Sequence, residues 1–291
     1  MNISVTWKGR HLRRQVSGPF FFASFPAFLA RFAVKAIFRF SGSPANQQHP
    51  ALASLRSRLY HLPVSSNSLR GRFITFEGLD GTGKSTQIEK LAKALRARGL
   101  SVVVTREPGG TATGEKIRHV ILDSATTQLS SRAEMALMFA SRAQHLQEVI
   151  KPALAEGKIV LCDRFTDSTE AYQGAGRKLG GEPVLELHRI LCDDLQPDLT
   201  ILMDSDVASS VERARRRNQK TSKNGRSHKD ENRFEQENRA FFTRVRNGYL
   251  AIARREPQRV ALVNARGTPP ETHAKILAIV CRKLRLSGKA Q

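Results

Sequence analysis

The stretch Phe73-Ile74-Thr75-Phe76-Glu77-Gly78-Leu79-Asp80-Gly81-Thr82-Gly83-Lys84-Ser85-Thr86 decides the fold. From Gly78 to Ser85 it fits G-x-x-x-x-G-K-[ST] at every fixed position. Phe73–Phe76 before it predicts a buried strand. Gln87–Arg98 after it predicts a helix, with Ile88, Leu91, Ala92 and Leu95 at i, i+3, i+4 and i+7 and Gly99 as the stop. A strand, a glycine-rich turn and a helix N-terminus together build a phosphate cradle. Glycines let backbone N–H groups approach phosphate oxygens, while the helix dipole and Lys84 favour negative charge. Ser85 stands where a hydroxyl can hold Mg²⁺. The stretch therefore predicts a P-loop that binds a nucleoside triphosphate.

Charge and cysteine content narrow the setting. The 291 residues carry a formal net charge of +22, unevenly spread: residues 1–70 hold ten Lys or Arg and no Asp or Glu. Such a surplus suits polyanionic ligands, nucleotide or nucleic acid. Cys162, Cys192 and Cys281 are scattered without a C-x-x-C pair, which indicates neither a disulfide framework nor a zinc site. They read as small core residues of a cytoplasmic protein. Phe20–Phe40 is apolar, but Arg31, Lys35 and Arg39 interrupt it and argue against a membrane span. Its acid-free composition resembles a transit peptide or a membrane-surface helix. The reading preferred here is a basic leader of low order over residues 1–70, or a start codon placed too far upstream, before a catalytic domain over 71–291.

From Arg72 onward, strands and helices alternate. Further strands are predicted at Leu100–Thr105, Lys158–Asp163, Leu199–Asp204 and Arg259–Ala265. Ser131 with Glu134 reads as a capping box that opens a helix through about Glu148, and a final helix runs to about Leu286. Short apolar strands separated by helices imply a parallel sheet covered on both faces. Arg213–Arg233 is rich in Lys, Arg, Asn and Ser and nearly free of apolar residues, which predicts a mobile surface segment.

Two segments leave strand ends on the same sheet edge as the P-loop. Thr105-Arg106-Glu107-Pro108-Gly109-Gly110-Thr111 follows the second strand, and Cys162-Asp163-Arg164-Phe165 follows the third. That edge is where doubly wound sheets bind ligands. Asp163 can hold a metal ion there, and Arg164 can bridge phosphates with its planar fork.

In this order FEGLDGTGKST, TREPGGT, MFASRAQHL, DRFTDSTEAYQGAGR and a basic segment ending in RFEQE resemble bacterial thymidylate kinase, from about Phe73 to about Leu286. The resemblance implies transfer of the γ-phosphoryl of ATP to dTMP on a five-stranded parallel sheet, in dTTP synthesis, by a homodimer using Mg²⁺. It implies that Gly78 through Thr86, Lys84 above all, hold ATP, with Asp80 between the two nucleotides. Arg164 would contact the dTMP phosphate, and Asp163 with Ser85 would organise Mg²⁺. Phe139 would stack on thymine and Arg142 would bond its carbonyl. Ser168 and Thr169 would face the base edge, while Tyr172 would close over the deoxyribose and exclude ribose. Arg106 and Glu107 would line the same pocket. A lid over about residues 213–236 would supply a catalytic arginine, with Arg213, Arg215, Arg216 and Arg217 all open as candidates.

Two rival readings stand beside this one. The first is a kinase for another nucleoside monophosphate. The second is a P-loop ATPase that binds nucleic acid, suggested by the charge. Most of the excess charge lies in the leader and lid, away from any recognition motif, so no nucleic-acid partner is expected.

Overall fold

The computed structural model describes residues 71–126, 128–223 and 233–285, with side chains throughout these except for 217–223. The expected leader, its Phe20–Phe40 stretch and residues 224–232 of the lid lie outside them. Five strands, β1 (Arg72–Glu77), β2 (Val102–Arg106), β3 (Ile159–Asp163), β4 (Leu199–Asp204) and β5 (Val260–Asn264), form one sheet in the order β2-β3-β1-β4-β5. Every pairing is parallel. The predicted α/β fold with five parallel strands is therefore present. Asp163 at the end of β3 lies level with Phe76 of β1 and Arg106 of β2, so three strand ends open at one edge.

Strand alternation divides the residues between two faces. Ile74 and Phe76 point to one side, where they meet Ile88, Leu91 and Leu95 of α1 (Lys84–Arg96) and Ile276 and Val280 of α9 (Pro269–Leu284). Phe73 points to the other side and packs with Phe139, Leu146, Ile150 and Phe165. These come from α3 (Ser131–His145) and the segments after it. The helix α8 (Arg239–Arg255) adds Phe241, Val245, Tyr249 and Ile252 to a third cluster with Leu202. Glu77 has the same parity as Phe73 and Thr75, so a carboxylate is carried into the interior on that face.

Local structure departs from the sequence reading in three places. The side chain that caps α3 is Ser130, whose Oγ accepts from Ala133 N at 3.2 Å. Ser131 is already helical, which turns Glu134 away from the cap and into the interior, where it is fully buried. There it accepts from Gln173, Arg177 and Arg233. The capping box is thus a mistaken reading of a buried ion-pair anchor. Second, the helical run does not stop near Glu148. It widens to π turns over Leu146–Ile150 and continues as α4 (Lys151–Ala155). Pro152 lacks an N–H for the α ladder, and Lys151 N bonds Leu146 O just before it.

The third difference is in the basic segment, for which the sequence reading gave no regular structure: its first part, to Lys223, continues the helix α7 (Val207–Lys223). Lys, Arg and Gln are good helix formers, so poor packing did not forbid a helix. Among the described residues no helix is long and apolar enough to cross a membrane.

Candidate active site

The turn between β1 and α1 closes on itself. Gly78 has φ +125°, and a Cβ there would lie 2.3 Å from Met203 O on β4, so only glycine fits. Lys84 is buried, and its Nζ donates to Gly78 O at 3.1 Å and Leu79 O at 3.0 Å. Thr82 Oγ1 donates to Leu79 O at 2.9 Å. Burial pulls Lys84 below the ordinary lysine range, with Arg164 adding to the effect and Asp80 opposing it. The N-terminus of α1 has Gly83 before it and no side-chain cap, while Ser85 and Thr86 are exposed. The first-turn N–H groups therefore have no side-chain cap, which leaves them suited to an anion.

Ser85 Oγ donates to Asp163 Oδ2 at 3.2 Å. The other oxygen, Asp163 Oδ1, is buried without a hydrogen-bond partner. A hydroxyl and a carboxylate with a spare oxygen are hard donors that fit a divalent cation beside the cradle.

Arg164 forms the opposite wall. Its backbone is left-handed at φ +71°, unusual for a residue with a side chain, and its N–H bonds Phe76 O at 3.0 Å. Nη2 donates to Asp80 Oδ1 at 2.9 Å and to Tyr172 OH at 3.3 Å. Nη1 donates to Ser168 Oγ and to Tyr249 OH, both at 3.0 Å. The guanidinium carbon lies 5.0 Å from the Tyr172 ring centroid. Asp80 stands between two cations, since the same Oδ1 is 3.8 Å from Lys84 Nζ. Burial raises the Tyr172 hydroxyl far above the usual phenol range, so it stays protonated.

A second arginine is built into the floor beside it. Arg142 is only 2% exposed. Its Nε donates to Glu107 Oε2 at 2.6 Å and its Nη2 to Thr169 Oγ1 at 2.9 Å, while buried Nη1 has no partner. Phe139 is wholly buried, with the Arg142 guanidinium 4.8 Å from its ring centroid. Glu107 Oε1 also meets His145 Nδ1 at 2.9 Å, and His145 Nε2 meets Thr105 Oγ1 at 2.6 Å. Burial alone would raise Glu107, but Arg142 and His145 outweigh it and hold the carboxylate below its usual range. Glu107, His145 and Cys162 lie close enough for a metal ion. Each is already engaged, Cys162 Sγ with Arg164 O at 3.0 Å, and Arg142 beside them repels a cation.

Not all the expected residues converge. Arg106 points out of the sheet edge and pairs with Glu115 at 3.0 Å on α2 (Ala112–Leu122), apart from the buried Glu107 beside it. Ser168 turns its hydroxyl to Arg164 and Glu77 rather than to the open side. Among the lid arginines, Arg213 reaches the cradle: Nε donates to Gly81 O at 2.7 Å and Nη2 to Ser205 Oγ at 2.9 Å. Arg215 binds Glu235 O, and Arg216 is exposed and bridges to Glu212. The side chain of Arg217 lies outside the described residues.

Sequence reasoning passed over Glu77, Tyr249 and His145. Glu77 accepts from Phe165 N at 2.7 Å, Ser168 Oγ at 2.5 Å and Tyr249 OH at 3.1 Å. A charged residue at an inward-facing strand position was the available signal.

A family model for thymidylate kinase matches residues 76–276. A thymidylate kinase of Trichlorobacter lovleyi is 49% identical over 212 residues, 73% of this chain and 98% of that protein. One of Pseudomonas syringae pv. syringae is 46% identical over 218 residues, 75% of this chain and 99% of that protein. The crystal structure of thymidylate kinase from Ehrlichia chaffeensis is similar at a TM-score of 0.55 and 31% identity, over 72% of this chain and 98% of that one.

Proposed function

The chain belongs to the thymidylate kinase family and phosphorylates dTMP to dTDP with ATP, and we propose how its residues divide that reaction. The observation that carries the proposal is Asp80 Oδ1, 3.8 Å from Lys84 Nζ and 2.9 Å from Arg164 Nη2. One carboxylate thus separates a donor cradle from an acceptor anchor. On the donor side, Gly78 through Thr86 hold the ATP phosphates, and Lys84 leaves its carbonyl partners to follow the transferring phosphoryl. On the acceptor side, Arg164 offers its fork to the dTMP phosphate.

A dTMP phosphate oxygen is already nucleophilic, so no covalent intermediate or strong base is needed. Catalysis is the alignment of two anions against fixed cations. Ser85 and Asp163, with the spare Oδ1, would hold Mg²⁺. When bound it would neutralise charge on the ATP phosphates. Arg142 would give its unpartnered Nη1 to a thymine carbonyl. Thr169 steadies Arg142, and Phe139, buried beneath the guanidinium, supports it from the inner side rather than stacking on thymine as expected. Tyr172 would cover C2′ of the sugar. Ser168 and Glu107 act through the two arginines, and Arg106 guards the outer rim. Of Arg213, Arg215, Arg216 and Arg217, the placement favours Arg213 as the lid cation that screens the transferring charge.

The same reading takes residues 71–291 as the catalytic domain with a lid over about 213–236, working as a homodimer in the cytoplasm. Kinases for other monophosphates and nucleic-acid-stimulated ATPases are not favoured. A coupled assay with ATP, Mg²⁺ and dTMP, dUMP, UMP, dCMP or AMP tests the substrate assignment. The expected result is one dTDP per ADP, with dTMP the best acceptor and no stimulation by DNA. ADP release independent of any monophosphate would overturn it.

A further inference from the structure

We propose that Glu77 is a positioning residue for the acceptor side, aiming Arg164 through the hydroxyls of Ser168 and Tyr249. Arg164 Nη1 donates to both hydroxyls at 3.0 Å. A guanidinium has no acceptor, so neither hydroxyl can point its own proton back at the arginine. Each hydroxyl has one proton to place. The surrounding oxygens are Glu77 Oε2, 2.5 Å from Ser168 and 3.1 Å from Tyr249, and the partner hydroxyl, 2.8 Å away. The three oxygens close a triangle beneath Nη1 and turn lone pairs of both hydroxyls toward it. Glu77 is the member that cannot move. It is fully buried, strand pairing fixes its backbone, and Oε1 holds Phe165 N, the residue after Arg164.

The arrangement joins three distant parts of the chain. Glu77 comes from the end of β1, Ser168 from the short helix α5 (Thr166–Thr169), and Tyr249 from α8. With Nη1 fixed from below, Nη2 is left to face Asp80 and Tyr172, where the acceptor phosphate would bind. Glu77 itself does not reach the open side, so it acts through Arg164. The inference rests on the reading of Arg164 as the dTMP phosphate anchor.

The test is a set of double-mutant cycles on the full chain. Glu77→Gln, Tyr249→Phe and Arg164→Lys are made singly, and each of the first two is combined with the third. KM for dTMP and for ATP are measured at saturating partner substrate. An amide nitrogen at Oε2 would donate to both hydroxyls and accept from neither, whereas a carboxyl oxygen accepts whether protonated or ionised. The misaimed charge-assisted contact should raise the dTMP KM about tenfold in Glu77→Gln and about threefold in Tyr249→Phe, with the ATP KM unchanged. In the Arg164→Lys background neither substitution should raise it further, because the fork they aim is gone. Effects that add fully to Arg164→Lys, or that raise both KM values alike, would overturn the inference in favour of a general packing role. Should Glu77→Gln fail to fold, the Tyr249→Phe cycle decides alone. If Arg164→Lys leaves the dTMP KM unchanged, the anchor reading itself is wrong, and the inference falls with it for that separate reason.

Discussion

The phosphate cradle and the arginine floor face each other across Asp80, yet they are made in opposite ways. In the cradle, Lys84 bonds carbonyls five and six residues back, and Thr82 bonds one three residues back. Backbone and glycine conformation do the shaping. In the floor, Glu77 reaches Tyr249 across 172 positions and Ser168 across 91. Side chains do the shaping there, and the sheet must exist before they can meet. A local device survives most changes elsewhere in the chain, whereas a long-range one is exposed to every element that contributes to it. The cradle should therefore fail at one residue, and the floor by degrees at several.

The largest effect expected is at the one cationic side chain of the cradle. Lys84→Ala should lower kcat by about 10²-fold or more, the scale of losing a preorganised electrostatic contact. Its circular dichroism should match the parent, because the Gly78 conformation and the Thr82 bond to Leu79 O still hold the turn. Near-normal turnover in a folded variant would break the comparison at the cradle.

On the other side, Tyr172 tests how shared the floor is. Its ring meets Phe234 and Phe241 edge-on at 5.5 and 6.1 Å, and its hydroxyl meets Arg164. Tyr172→Ala should cost about 3 kcal/mol of stability through the cavity it opens. It should also raise turnover of UMP relative to dUMP several-fold, since those substrates differ only at C2′. Tyr172→Phe should keep most of the discrimination. An unchanged UMP to dUMP ratio in the alanine variant would remove Tyr172 from sugar selection.

Glu77 also links the floor to pH. Burial first and Asp167 second raise it from the ordinary 4.5 to about 8. The folded chain then keeps a proton that the unfolded chain has released. The stability this contributes is complete below about pH 4.5 and is lost as pH rises through about 8. The melting temperature of the parent, relative to Glu77→Gln, should accordingly fall between those values. A difference that does not change with pH would show that Glu77 titrates normally.

The smallest effect concerns the N-terminal seventy residues. A chain begun at Gly71 should match the full one in melting temperature and dTMP turnover. The first strand is already tied down by Gly71 N to Leu154 O at 2.9 Å and Arg72 N to Lys158 O at 3.2 Å, and every proposed site residue follows it. A less stable or slower truncated protein would place the domain boundary too late in the chain.

What the sequence made legible follows the same division. The motif from Gly78 to Ser85 and the strands around it could be placed because their periodicity is local. Arg164 and Asp163 could be placed because they close a strand on the ligand-binding edge. Glu77 was missed because its inward direction only matters once Ser168 and Tyr249 are brought beside it. Glu134 was misread because a one-residue shift of the cap, from Ser131 to Ser130, turns a helix position by about 100°. That shift moves it from the cap to the interior, where it meets Arg177 and Arg233. The helix at the start of the lid left no signal because α7 has few apolar residues, although Arg213 and Arg215 dock it through backbone carbonyls. Contacts from an arginine to a carbonyl leave no trace in a hydrophobic pattern.

Calorimetric titration of dTMP, and separately of a non-hydrolysable ATP analogue, into Lys84→Ala and Arg164→Lys tests the division at Asp80 most directly. The account predicts that Arg164→Lys binds dTMP about tenfold more weakly, losing a bidentate charged contact, and binds the ATP analogue as the parent does. Lys84→Ala should show the reverse. Equal loss of both ligands in either variant would mean that the two phosphates share one set of cations, and the division into donor cradle and acceptor floor would be wrong.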